Sequence, residues 1–210
     1  VSSGRDAIRG ALDAAPDTDV AVALAAFSRG ALLGARGNSG VILSEMLGAI
    51  ARRIAQATPQ QRNAVVMAEA LVCAADASYA AVGTPVEGTM LTVIREAATA
   101  AIESVEDPST RARDVFAVAA AAAREALART PEQLPALADA GVVDAGGRGV
   151  SVNLDAAETV LTGRRPVPVT APIGARQIPI PHVPSGDLSA DGPAYEVMYL
   201  LDAADDAIPQ

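Results

Sequence analysis

Apolar residues make up 50% of this chain, yet almost none carries a ring: 210 residues hold two Phe, three Tyr and no Trp. The core must therefore be filled by Ala, Leu, Val and Ile. Small aliphatic side chains suit closely spaced helices, and Ala is also the strongest helix former. The length allows one domain with a remnant, or two small domains.

The apolar spacing is helical up to about residue 162. Helices are expected over 6–15, 20–33, 41–55, 60–80, 89–104, 111–129 and 131–140, with a last one after Gly149 that ends near Leu161. Pro59 suits the first turn of the fourth. Composition then changes. Residues 163–193 carry a run of prolines and read as an extended linker. Residues 194–210 open with an alternating segment, Tyr195, Val197, Tyr199 and Leu201, that reads as a β-strand. One strand is not a domain, so this end reads as the start of a second one. Val1 in place of Met reads as missing upstream sequence.

Charge and residue types exclude several chemistries. All 16 basic residues are Arg, so no lysine Schiff base or P-loop lysine exists. One Cys and one His exclude a Cys/His zinc site and an internal disulfide. A net charge of -9 with scattered Arg argues against nucleic acid. No 18-residue apolar run occurs, because Glu45 interrupts the stretch 41–50, so no integral membrane segment is expected. The composition fits a cytoplasmic protein.

Three glycine-rich breaks, 34–40, 83–88 and 144–149, each precede a helix. Helix N-termini present unpaired N–H groups and a positive dipole end, which suits phosphate. Taken singly, each break is explained as a turn between helices. Asn38 and Ser39 occupy an N-cap position before the 41–55 helix, and could equally donate to phosphate. The Thr89 hydroxyl could cap or touch phosphate. Met90 could be core or an apolar wall for a flat base. Asp144 could cap a helix or accept from ribose hydroxyls. Cys73 and the Ala run 117–123 read as buried packing, His182 as a linker residue, and Arg36 as an ion-pair partner before a phosphate contact.

The wording of these segments is similar to a known family. Gly34-Ala35-Arg36-Gly37-Asn38-Ser39-Gly40-Val41-Ile42-Leu43-Ser44, Pro85-Val86-Glu87-Gly88-Thr89-Met90-Leu91-Thr92-Val93 and Gly141-Val142-Val143-Asp144-Ala145-Gly146-Gly147 resemble the DhaL (DAK2) domain of dihydroxyacetone kinases. The match is nearest to the bacterial fatty-acid kinase branch, and covers about residues 1–162. The resemblance implies an all-α antiparallel helical barrel that binds ATP at one end. It implies nucleotide contacts from Gly37, Asn38, Ser39 and Gly40, from Thr89 and Met90, and from Asp144, Ala145 and Gly146, with Ala81 and Thr130 near other contact positions. It also implies Mg²⁺ held by an aspartate-rich loop expected before residue 1. Asp17-Thr18-Asp19 lacks that loop's glycines and reads as an N-cap. The activity implied is phosphoryl transfer to a fatty acid presented by a separate binding protein. A dihydroxyacetone-type small-molecule kinase and a non-catalytic nucleotide- or partner-binding module are the rival readings.

Overall fold

The computed structural model describes residues 1–14 and 19–163. They form eight helices: α1 (Ser2–Ala14), α2 (Val20–Leu33), α3 (Gly37–Ala55), α4 (Asn63–Ala80), α5 (Met90–Ser104), α6 (Ala112–Gln133), α7 (Pro135–Ala140) and α8 (Ala145–Thr162). The described part is all-α, as expected. The linker and the strand at 194–201 lie outside the described residues, as do His182, Asp17 and Thr18.

Local chemistry sets the helix starts. The Asp19 carboxylate accepts from the Ala21 N–H at 3.0 Å and begins α2. The Asp114 carboxylate accepts from the Arg111 N–H at 3.0 Å and fixes the start of α6. Pro59 lies before α4 rather than in its first turn, because Thr58 and Gln61 close a separate turn there. The helix expected over 131–140 is divided: α6 runs through Pro131 to Gln133, and Pro135 opens α7. Pro131 leaves the Leu127 carbonyl without its helical donor. The Thr130 hydroxyl donates to that carbonyl at 2.8 Å, which satisfies it.

The core lies among α4, α5, α6 and α8, which pack on one another. Its larger members are Leu71, Val93, Ile94, Val115, Leu127, Val150 and Leu154, joined by Met46 of α3. Between them Ala68, Ala74, Ala97, Ala101, Ala119, Ala120 and Ala123 are fully buried. Within the run 117–123, Ala119, Ala120 and Ala123 make the packing face expected of it. Cys73 is only partly buried. Towards the N-terminus, α3 packs on α4, α2 on α3 and α1 on α2. The α1–α2 crossing is close: a Cβ at Gly30 would stand 2.6 Å from the Ser3 carbonyl oxygen. No described helix is long and apolar enough to cross a membrane.

Candidate functional site

The ends of the helices bring all three glycine-rich segments to one place. Ser39 and Ile42 from α3, Val82, Thr84 and Val86 from the loop after α4, Thr89, Met90 and Leu91 from the start of α5, and Asp144 and Gly146 from the start of α8 line an open cleft of about 220 Å³. Asn38, Gly40 and Ala145 adjoin lining residues in the chain, and Gly37 lies two positions before Ser39, but none of the four lines the cleft itself. Ala81 is the C-cap of α4.

The α3 start departs from the expected one. The helix begins at Gly37, so Asn38 and Ser39 sit in its first turn and not in a preceding turn. Arg36 occupies the cap position without a side-chain cap bond. Its guanidinium donates instead to the carbonyls of Ala35 at 2.7 Å and Leu33 at 3.3 Å, in place of the expected ion pair. Asn38, half-buried, and Ser39, exposed, lie inside the helix, so neither occupies its N-cap. Among the described residues, no side chain accepts from the first-turn N–H groups of α3.

The two other helix starts are capped. Thr89 Oγ1 accepts from the Leu91 N–H at 3.3 Å and donates to the Val86 carbonyl at 2.7 Å. Its hydroxyl is thus engaged in shaping the loop. Met90 lines the cleft while only 5% exposed, so it is both core and wall. The expected start of the last helix also moves, from after Gly149 to Ala145. Asp144 Oδ2 caps it, accepting from the Gly147 N–H at 2.6 Å. Packing is tight at the first glycines of this helix, most of all at Gly147. A Cβ at Gly147 would lie 2.9 Å from Val93 Cγ2, and one at Gly146 3.1 Å from Met90 Sδ. Thr130 is fully buried and is not among the residues lining the cleft.

A polar network missed by sequence reasoning holds the loop 81–89. Arg95 grips both oxygens of Glu87, Nη1 to Oε1 at 2.6 Å and Nη2 to Oε2 at 2.8 Å. Thr92 donates to Glu87 Oε2 at 2.5 Å and Tyr79 to Oε1 at 3.0 Å. Arg95 also donates to the Tyr79 oxygen at 2.5 Å and lies 5.4 Å from its ring centroid. These contacts hold the Glu87 carboxyl down to about 2, chiefly through its bonds from Arg95. The Tyr79 phenol is pushed up, first by burial and then by its bond to Glu87. No local spacing signals this network, because its members come from α4, the loop and α5.

Among the described residues, no group of three or more His, Cys, Asp or Glu side chains could hold a metal ion. The residues lining the cleft carry hydroxyls and one carboxylate beside an apolar wall.

Comparison with known proteins identifies relatives of the chain. The chain is 44% identical over 135 residues to the protein YloV of Bacillus subtilis, covering 63% of this chain and 23% of the relative. It is 42% identical over 126 residues to the uncharacterized protein SSP1546 of Staphylococcus saprophyticus, covering 60% and 22%. It is 40% identical over 124 residues to the uncharacterized protein SAUSA300_1119 of Staphylococcus aureus, covering 59% and 22%. The matched stretch thus spans less than a quarter of the length of these relatives. The DAK2 domain model matches residues 1–159. With that match over most of its length, and with the three segments meeting at one cleft, the chain belongs to the DAK2 domain family, a kinase-related and generally nucleotide-binding family.

Proposed function

We propose that this chain binds the nucleotide of an ATP-dependent kinase whose acceptor is a fatty acid carried by a separate binding protein. One observation carries the nucleotide part. Three glycine-rich helix starts, far apart in the chain, line a single cleft with Ser39, Thr89, Asp144 and Gly146. In this reading the uncapped first turn of α3 receives phosphate, helped by the Asn38 amide and the Ser39 hydroxyl. Asp144 accepts from ribose hydroxyls with the oxygen that does not cap α8. Ile42, Val82 and Met90 give a flat base an apolar wall. Small-molecule pockets usually measure about 300–1,000 Å³. A cleft of about 220 Å³ seats part of a nucleotide and leaves its far end open.

Phosphoryl transfer is mostly positioning and charge neutralisation. Mg²⁺ supplies the neutralisation in such reactions. The described residues hold no acidic cluster that fits it. Their contribution is to bind and orient. The fatty-acid acceptor rests on the resemblance of the motifs to the fatty-acid kinase branch.

The test is titration of the chain with ATP, ADP and a ribose-free triphosphate. Saturable ATP binding that is weakened by Asn38→Ala with Ser39→Ala supports the reading. A folded chain that binds none of the three overturns it. The acceptor is tested separately, by comparing Mg²⁺-dependent ATP consumption with a protein-bound fatty acid and with dihydroxyacetone.

A further inference from the structure

We infer that Glu87 and Arg95 are positioning residues for the cleft: together they hold the loop 81–89 in the conformation that a ligand meets. The inference rests on the nucleotide reading for its ligand, and on geometry for the rest.

The loop supplies Val82, Thr84, Val86 and Thr89 to the cleft. It is otherwise open to solvent, since residues 83–87 are exposed. Something other than burial must fix its path. Both Glu87 oxygens are gripped by Arg95, which projects from the second turn of α5. Such a two-pronged contact sets direction as well as distance. Thr92 links the pair to the backbone. Its hydroxyl donates to Glu87 Oε2 at 2.5 Å and accepts from the Gly88 N–H at 2.9 Å. Gly88 in turn packs against the end of α6, where an added Cβ would meet the Thr130 carbonyl oxygen at 3.0 Å. One residue either side of this anchored pair, Val86 and Thr89 are joined by the bond from Thr89 Oγ1 to the Val86 carbonyl at 2.7 Å. The carboxylate therefore acts on the cleft through Gly88, Val86 and Thr89, without lining it.

Exposed ion pairs contribute little to global stability. The role inferred here is local order, and that separates the two in experiment. Glu87→Gln and Arg95→Gln are compared with Glu69→Gln, which breaks the Arg53–Glu69 pair away from the cleft. Three quantities are read on the 210-residue chain: melting temperature, amide exchange at Gly88, and ATP affinity. Both cleft variants should exchange faster at Gly88 and bind ATP about tenfold more weakly, while melting close to the parent. Arg95→Lys keeps the charge but not the two-pronged grip, so it should fall between. Glu69→Gln should leave exchange and affinity unchanged. Parental affinity in the Glu87 and Arg95 variants would overturn the inference, whatever their melting temperatures. If the parent binds no ATP, the nucleotide reading fails. Gly88 exchange then decides: faster exchange in both variants upholds the loop-holding role, and unchanged exchange overturns it.

Discussion

The backbone N–H of Asp144 donates to the hydroxyl oxygen of Thr130 at 3.1 Å, tying the start of α8 to the last turn of α6. The same hydroxyl donates to the Leu127 carbonyl that Pro131 leaves open. Thr130→Val keeps the shape and removes both bonds. A buried group left unpaired costs about 1–3 kcal/mol, so the variant should melt several degrees lower. Thr130→Ser should recover most of the loss. Thermal melts of the three proteins check this, and equal melting of Thr130→Val and parent would refute it.

Asp144→Asn separates capping from ligand binding. Asn caps as well as Asp, so folding should be preserved. A carboxylate that accepts from ribose hydroxyls loses a charge-assisted bond worth roughly 1.5–3 kcal/mol. ATP affinity should fall accordingly, with a smaller loss for an analogue lacking those hydroxyls. Calorimetric titration of both ligands is the measurement. Unchanged ATP affinity would leave Asp144 as a cap only.

Asn38→Ala with Ser39→Ala should leave the melting temperature nearly unchanged, because neither side chain caps α3. Surface changes of this kind usually stay within about 0.5 kcal/mol. The expected effect is weaker ATP binding alone. A clear fall in melting temperature with parental affinity would reverse that assignment.

These assignments show what could be read before the fold was known. The bounds of α2 follow from apolar spacing and from Asp19, and they match residues 20–33. Placing Ser39, Thr89 and Asp144 at helix starts needed only the glycine breaks and the hydroxyl or carboxylate beside them. The true starts of α3 and α8 were hidden because Gly37 to Gly40 and Gly146 to Gly149 have the composition of loops. Tertiary packing overrides propensity at Gly147, where a Cβ would lie 2.9 Å from Val93 Cγ2. The Glu87–Arg95 pair left no periodic trace, since its partners come from different elements. Gly88 closes the second glycine-rich break, which suggests only a turn. It is buried against α6, so its smallness serves packing.

Gly88→Ala tests that packing. Gly88 has φ +79°, where L side chains are strained, and its Cβ would stand 3.0 Å from Gln133 Cβ and Leu134 Cβ. Backbone strain of this kind costs of order 1–3 kcal/mol. The variant should melt lower and also bind ATP less well, because Thr89 is the next residue. Melting and affinity at the parental values would show that the loop relaxes freely.

Acid should act through Glu87. Its carboxyl titrates at about 2 in the folded chain against an ordinary 4.5, chiefly because Arg95 donates to it. A depressed carboxylate stabilises the fold above its unfolded value, and that contribution is lost as pH falls from about 4.5 towards 2. The side chain is 48% exposed, so the effect is that of a solvent-screened pair, at most about 1 kcal/mol. Melting temperature against pH should therefore fall less steeply in this window for Glu87→Gln than for the parent. Parallel curves would disprove the contribution.

The stepwise attachment of the N-terminal helices turns them into a lever. α1 rests on α2 and α2 on α3, while α3 also brings Ser39 and Ile42 to the cleft. A torque applied to the α1–α2 pair reaches the cleft chiefly through α3. It would swing one jaw and leave the opposite jaw, built from α5 and α8, seated on the alanine-filled core. Because α3 also buries Met46 in that core, any tilt of α3 against α4 would be felt at the edge of the core as well as at the cleft.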